Sequence, residues 1–279
     1  MIDIKPAKDI SDKDLCDAMN DAFSDYVVPP PRLSLEGFQQ MMSQRGLIRS
    51  CSLVATENEE VAAIWLVSVR GDKAYLIASG TRPKFRSKGI ARRLADACLS
   101  DLVKTGISTF QTEVMDGNDI AAGLYFSLGM TVSRQLDCYD IPEPPAAEPR
   151  SSNVAAADWR DILAAAPALR SWEPSWQNND LSVGSISGNL HCARIDDDKG
   201  LAAYAALIPQ SATLAQIAVR PDCRRRKLGT AIVANLKEKL PDRPLRILNA
   251  QAGDSEFSGF MQALGASKTV VQRELCMRL

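Results

Sequence analysis

The chain has 279 residues, enough for two domains of ordinary size, with 46% apolar and 24% charged residues and a formal net charge of −1. That balance excludes a global field drawing it to nucleic acid or an anionic membrane, and no apolar run approaches the roughly 18 residues of a membrane span. The N-terminal stretch lacks an apolar signal core, so a cytoplasmic protein is expected.

In chain order, the pattern predicts a helix over 11–23, a loop containing Pro29, Pro30 and Pro31, and a helix over 34–45. Strands over 50–56 and 61–69 follow, joined by a polar turn, and a third strand over 73–80 runs into a basic loop. Ile90, Leu94, Cys98 and Leu102 then recur every four residues, one face of an amphipathic helix. A strand over 109–115, a helix over 118–128 and a last strand complete the half. Residues 142–158, rich in Pro, Ala and Ser, read as a linker that builds no packed element.

Beyond it the pattern repeats. Thr81-Arg82-Pro83 with Arg86 recurs as Val219-Arg220-Pro221 with Arg224, and Leu228, Ile232, Leu236 and Leu240 repeat the helical stripe. Strands over 212–218 and 245–250 flank this second motif as their counterparts flank the first. Two domains are therefore expected, 1–141 and 159–279. Seven scattered cysteines without a Cys-x-x-Cys pair suggest neither a disulfide framework nor a metal site, and no metal is expected. The single histidine, His191, lies in a strand-like stretch and reads as structural. Trp172 and Trp176 read as packing residues, with an aromatic acceptor wall as the alternative.

The basic loop carries chemistry. A glycine that opens a helix after a strand lets an anion approach unpaired N–H groups at the positive end of the helix dipole. Arg86, Lys88, Arg92 and Arg93 add charge around that point. An isolated basic run is usually a solvated face; two copies in register, each between a strand and an amphipathic helix, favour pyrophosphate binding.

The loop Arg86-Ser87-Lys88-Gly89-Ile90-Ala91 resembles the coenzyme A signature of the GNAT superfamily of N-acetyltransferases. A later motif of that superfamily is matched by Asn118, Ala121, Leu124, Tyr125 and Gly129. The resemblance implies an α/β fold of two tandem GNAT-like domains, each a mixed, largely antiparallel splayed sheet flanked by helices. It also implies acetyl-CoA as cosubstrate and acetyl transfer to a small-molecule or peptide amine. Thr81 and Arg82 would meet the pantetheine arm, residues 86–92 (Arg86, Ser87, Lys88, Gly89, Ile90, Ala91, Arg92) the pyrophosphate, and Asn118 and Tyr125 would complete the cofactor site.

By the same resemblance Tyr125 is the proton donor to the leaving thiolate and Glu113 the base; the alternatives are a packing tyrosine and a solvent-facing carboxylate. Asp25, through water, or a backbone carbonyl is an alternative base, and Asp25 and Tyr26 would line the acceptor pocket. In the second half Met261, Asn249 and Asp254 stand where Tyr125, Glu113 and Asn118 stand in the first. That half is expected to do no chemistry, though its loop over 224–230 could hold coenzyme A. It would serve as a built-in partner, making a monomer that acts as an intramolecular pseudo-dimer. The competing reading is a non-catalytic coenzyme A or acyl-CoA sensor. A nucleic-acid module is disfavoured by the neutral charge and the absence of interleaved aromatic and basic residues.

Overall fold

The structure, a computed structural model, describes residues 1–28, 30–144 and 153–279. Pro29 of the proline loop and residues 145–152 of the expected linker lie outside the described residues. The chain divides into two units, Met1–Arg134 with Arg273–Leu279, and Gln135–Gln272. These bounds depart from the expected 1–141 and 159–279, and the reason lies in the last strand of each half.

In the first unit, β1 (Asp3–Pro6), β2 (Leu53–Glu57), β3 (Glu60–Arg70) and β4 (Lys73–Thr81) pair antiparallel in sequence order. Helix α1 (Asp12–Ala22) starts where Ser11 Oγ accepts from the Asp14 N–H, with Asp12 and Asp14 in its first turn facing the positive end of the dipole. Helix α2 (Leu35–Arg45) is capped in the same way by Ser34 and stopped by left-handed Gly46. Residues 61–68 of β3 are all buried, the mark of a strand covered on both faces. Helix α3 (Ile90–Lys104) buries Ile90, Leu94, Cys98 and Leu102, the stripe expected from the sequence. Strand β5 (Thr109–Met115) and helix α4 (Asp119–Ser127) follow. β4 and β5 run parallel and register only at Lys73–Thr109, Ala74–Phe110 and Tyr75–Gln111; beyond Tyr75 the ladder ends and the strands part. A bulge in β4 opposite Leu66 and Val67 falls where that separation begins.

The second unit repeats this scheme. Four short elements the sequence reading missed come first: the strand β7 (Ala155–Ala157), inside the expected linker, and the helices α5 (Trp159–Leu163), α6 (Ala166–Leu169) and α7 (Asp180–Ser185). β7 corrects the expectation that no element forms there, because it adds to the edge of β8 (His191–Asp197) and borrows that strand's hydrogen bonds. β9 (Gly200–Ile208) and β10 (Thr213–Val219) continue the antiparallel order. After α8 (Leu228–Lys237) comes β11 (Leu245–Gln251), parallel to β10 and in register with it only at Thr213–Arg246. Helix α9 (Ser255–Ala263) and the final strand β12 (Ser267–Arg278) close the chain. His191 is exposed at the start of β8, and Trp159 and Trp176 are buried among the unit's short helices.

The terminal strands decide the boundaries. The stretch 136–141 of β6 (Thr131–Ile141) pairs antiparallel with β11, Leu245 facing Ile141 and Gln251 facing Leu136, and so belongs to the second unit. The chain's last residues belong to the first: Leu275 is fully buried in its core, the Leu279 N–H donates to the Ser108 carbonyl, and Arg134 pairs with Glu274 at 2.8 Å. Each unit is thus finished by a strand encoded in the other half.

Candidate active site

In the first unit the basic loop takes the shape an anion site needs. Ser87 and Gly89 have φ of +61° and +68°, and Gly89 is the N-cap of α3 with no side chain capping the helix. Left-handed backbone suits glycine, and a Cβ on Gly89 would meet nothing within 4 Å, so its surroundings are open. Turned residues beside an uncapped helix start aim N–H groups outward, a cradle for phosphate. Coenzyme A fits here by that chemistry: Ser87, Lys88 and Gly89 would hold its pyrophosphate. Gly80, at the splayed end of β4, sits so close to α1 that a Cβ would lie 2.7 Å from Ala22 Cβ.

Both candidate proton-transfer groups are held by β4. The Tyr125 hydroxyl, on α4, is 2.9 Å from Ser79 Oγ, and its ring meets Trp65 edge-on at 6.4 Å. Burial pushes its phenol up to about 12, so it stays protonated at every working pH. Glu113, on β5, accepts a hydrogen bond on Oε2 from the Tyr75 hydroxyl, while Oε1 is buried with no hydrogen-bond partner among the described residues. Burial raises its pKa to about 7, against the pull of the Tyr75 bond and of Arg45. Tyr75 and Ser79, the partners of the candidate base and acid, belong to no motif; only their place on β4 beside the splay reveals them.

Other expected site residues are occupied in structural contacts. Arg86 is bidentate to Asp25 at 2.6 and 2.7 Å, and also donates to the carbonyls of Thr81 and Ala22. This joins the expected acceptor and cofactor residues in one strut from the end of α1 to the loop. Arg86 holds the Asp25 carboxyl below the usual carboxylate range, which suits an ion-pair partner and not a base. Arg82 is tied to Asp21, Glu60 and the Val61 carbonyl. Arg92 pairs with Asp96, Lys88 lies over the Phe85 ring, Ile90 is buried in the core, and Ala91 is half-buried behind the loop. Tyr26 stacks obliquely on Phe23, with ring centres 5.1 Å apart. Asn118 caps α4, its Oδ1 accepting from the Ala121 N–H.

The second unit keeps this backbone and changes the chemistry. Arg225 and Lys227 have φ of +63° and +61°, the counterparts of Ser87 and Gly89, and Arg224 Nε donates to the Val219 carbonyl as Arg86 Nε does to Thr81. Asp254 caps α9 as Asn118 caps α4. Met261 is a buried core residue, and Asn249 is buried in left-handed conformation at φ +60°. Beside them opens a cavity of about 500 Å³ between β10, β11, the loop and α9.

The model of the acetyltransferase (GNAT) family matches residues 14–130 and again 153–256. The [Ribosomal protein bS18]-alanine N-acetyltransferase of Haemophilus ducreyi is 31% identical over 93 residues, which are 33% of this chain and 64% of that protein. Its Escherichia coli K12 counterpart is 34% identical over 74 residues, 26% of this chain and 50% of the other. The similarity thus spans between half and two thirds of these relatives' length. A tandem GNAT protein from the clavulanic acid biosynthesis pathway superposes with a TM-score of 0.73 at 14% identity, covering 100% of this chain and 98% of the other. A putative acetyltransferase from Pyrococcus horikoshii gives the same TM-score at 12% identity, covering 100% and 89%. Among the described residues no helix is long and apolar enough to cross a membrane. With the fold repeated in two units and the family matched in each, the chain belongs to the GNAT acetyltransferase family, as a tandem member.

Proposed function

We propose that the first unit transfers an acyl group, in the simplest case acetyl, from a coenzyme A thioester to a primary amine by direct attack. The observation that carries this reading is the pair of buried groups held by one strand: Tyr125 bonded to Ser79 and pushed up to about 12, Glu113 bonded to Tyr75 and raised to about 7. A carboxyl raised to near neutrality and a phenol that keeps its proton are suited to the roles of base and acid. When bound at the loop, the thioester supplies the activated acyl group. Glu113 then removes a proton from the amine through its unpartnered Oε1, and Tyr125 gives its proton to the departing sulfur. A backbone N–H near Gly80 or Thr81 serves the developing oxyanion. We also place the protein in the cytoplasm, where its seven free cysteines would stay reduced.

The test is amine-dependent release of free thiol from acetyl-CoA by the full-length protein. Because the curated relatives are named for an alanine of a ribosomal protein, an alanyl peptide heads the acceptor panel, followed by small primary amines. Release that depends on an amine and falls in Tyr125→Phe and Glu113→Gln supports the reading. Saturable acetyl-CoA binding with no turnover by any acceptor would replace it with a sensor.

A further inference from the structure

Tyr125 is closed off from solvent. It is 5% exposed, and its ring packs in the core of the first unit against Trp65, which in turn stacks on Phe110 with ring centres 6.4 Å apart. Among the described residues its hydroxyl has Ser79 Oγ, at 2.9 Å, as its hydrogen-bond partner. Ser79 is placed differently. It lies on β4 beyond Tyr75, where the ladder to β5 has ended, and it is half-buried. Successive side chains of a strand face opposite ways. The next residue, Gly80, faces α1 so closely that no Cβ fits, and Ser79 accordingly faces away from α1, toward α4 and the parted strands.

That placement sets a problem for an acid. When the phenol yields its proton to the departing sulfur, a phenolate is left among apolar side chains, and a buried charge without a partner is costly. It must also regain a proton before the next turnover although its ring is shut in. The Ser79 hydroxyl meets both demands, since it can donate to the phenolate and is itself within reach of solvent. Burial pushes the Tyr125 phenol up to about 12, and the bond from Ser79 pulls the other way, as a donor to the phenolate must.

The second unit supplies an internal comparison. Val219 repeats Thr81, so Ile217 stands where Ser79 stands, and Met261 stands where Tyr125 does. Both pack in that unit's apolar core. The acid and its hydroxyl partner are thus replaced together.

We propose that Ser79 is a positioning residue that relays protons to Tyr125 during the acyl transfer assigned to the first unit, an inference that rests on that reading. As the carbon–sulfur bond breaks, the sulfur takes the Tyr125 proton and the phenolate oxygen takes the Ser79 proton. Ser79 Oγ takes a proton from a solvent water at the parted strands in the same movement, so no free alkoxide forms. The hydroxide left in bulk water is neutralised by the proton that the amine loses through Glu113, and the two transfers balance.

The experiment follows thiol release from acetyl-CoA by the full-length protein, with the amine that the wild type turns over, in mixtures of light and heavy water. Ser79→Thr and Ser79→Val share one outline and differ by a hydroxyl, so they separate proton transfer from packing even if Ser79→Ala does not fold. Ser79→Ala and Ser79→Val should lower kcat by about 10- to 100-fold, the worth of a hydrogen bond to a charged group, with the KM for acetyl-CoA nearly unchanged. Ser79→Thr should keep most of the rate that Ser79→Val loses. In a Tyr125→Phe background the same changes should cost less than about twofold, because groups that act as a unit are not additive. The wild-type rate should fall along a curve as the deuterium fraction rises, since more than one proton moves, and along a straight line in Ser79→Val. Full rate in Ser79→Val, an equal loss in both backgrounds or a straight wild-type line would overturn the relay while leaving the reaction in place. Absence of amine-dependent release from the wild type would overturn the reaction itself, and the relay with it.

Discussion

The hydroxyl of Tyr75 donates to Glu113 Oε2 while Glu113 Oε1 remains buried with no hydrogen-bond partner among the described residues. A buried carboxyl with one oxygen stabilised and one free holds its proton to about pH 7. The acyl-transfer rate is therefore expected to rise with pH through about 7 as Glu113 becomes a base. Tyr75→Phe removes a bond to the charged form, so the rising limb should move to higher pH. A limb that stays in place in a folded Tyr75→Phe protein would separate Tyr75 from the base.

The same residue links to stability. The Glu113 pKa is raised on folding from an ordinary 4.5, so its contribution is fully present below that value and is lost as pH rises through about 7. Glu113→Gln, which cannot ionise, should therefore flatten this part of the stability-pH curve in urea titrations between pH 5 and 8. The variant should also lose the rising limb of activity.

Tyr125→Phe should lower kcat on the order of 100-fold while leaving acetyl-CoA affinity nearly unchanged, since general acid catalysis is worth about that much. With the phenol pushed up to about 12, the wild-type profile should show no falling limb from Tyr125 between pH 7 and 10. Ser79→Ala keeps the phenol but removes its partner, and should cost about 1 kcal/mol of stability. A full-rate Tyr125→Phe protein would reduce this tyrosine to a packing residue.

Leu275 is fully buried in the core of the first unit although only four residues follow it. Leu275→Ala should cost about 2–5 kcal/mol, the range for a leucine removed from a packed core. Denaturant unfolding followed by hydrogen exchange should show the loss in residues 1–134. Loss confined to the second unit would contradict the placement of the chain's last strand.

Gly89 and Lys227 have the same left-handed backbone, φ +68° and +61°. Lys227→Gly should stabilise the second unit by about 0.5–1 kcal/mol, and Gly89→Ala should destabilise the first by a similar amount. Paired urea midpoints decide this.

The sequence alone determined the duplication, the helices α1, α2, α3 and α4, the strands that flank the basic loops, and the loops themselves. These are legible because caps, period-four stripes and the left-handed glycine are local chemistry that neighbours in the chain impose on one another. Asn118 and Asp254 were also visible as equivalent positions, but a motif does not say that their shared task is to cap a helix. Only the tertiary structure decided which unit each final strand completes, because alternation marks a strand and its faces without naming its partner. For the same reason, Tyr75 and Ser79 emerged as partners of the proposed base and acid, Glu113 and Tyr125, only when β4 and β5 were set side by side and then parted. The cavity lined by Ser175 and Asn249 is likewise a product of elements far apart in the chain, where Ser175 Oγ and Asn249 Nδ2 are buried with no hydrogen-bond partner among the described residues.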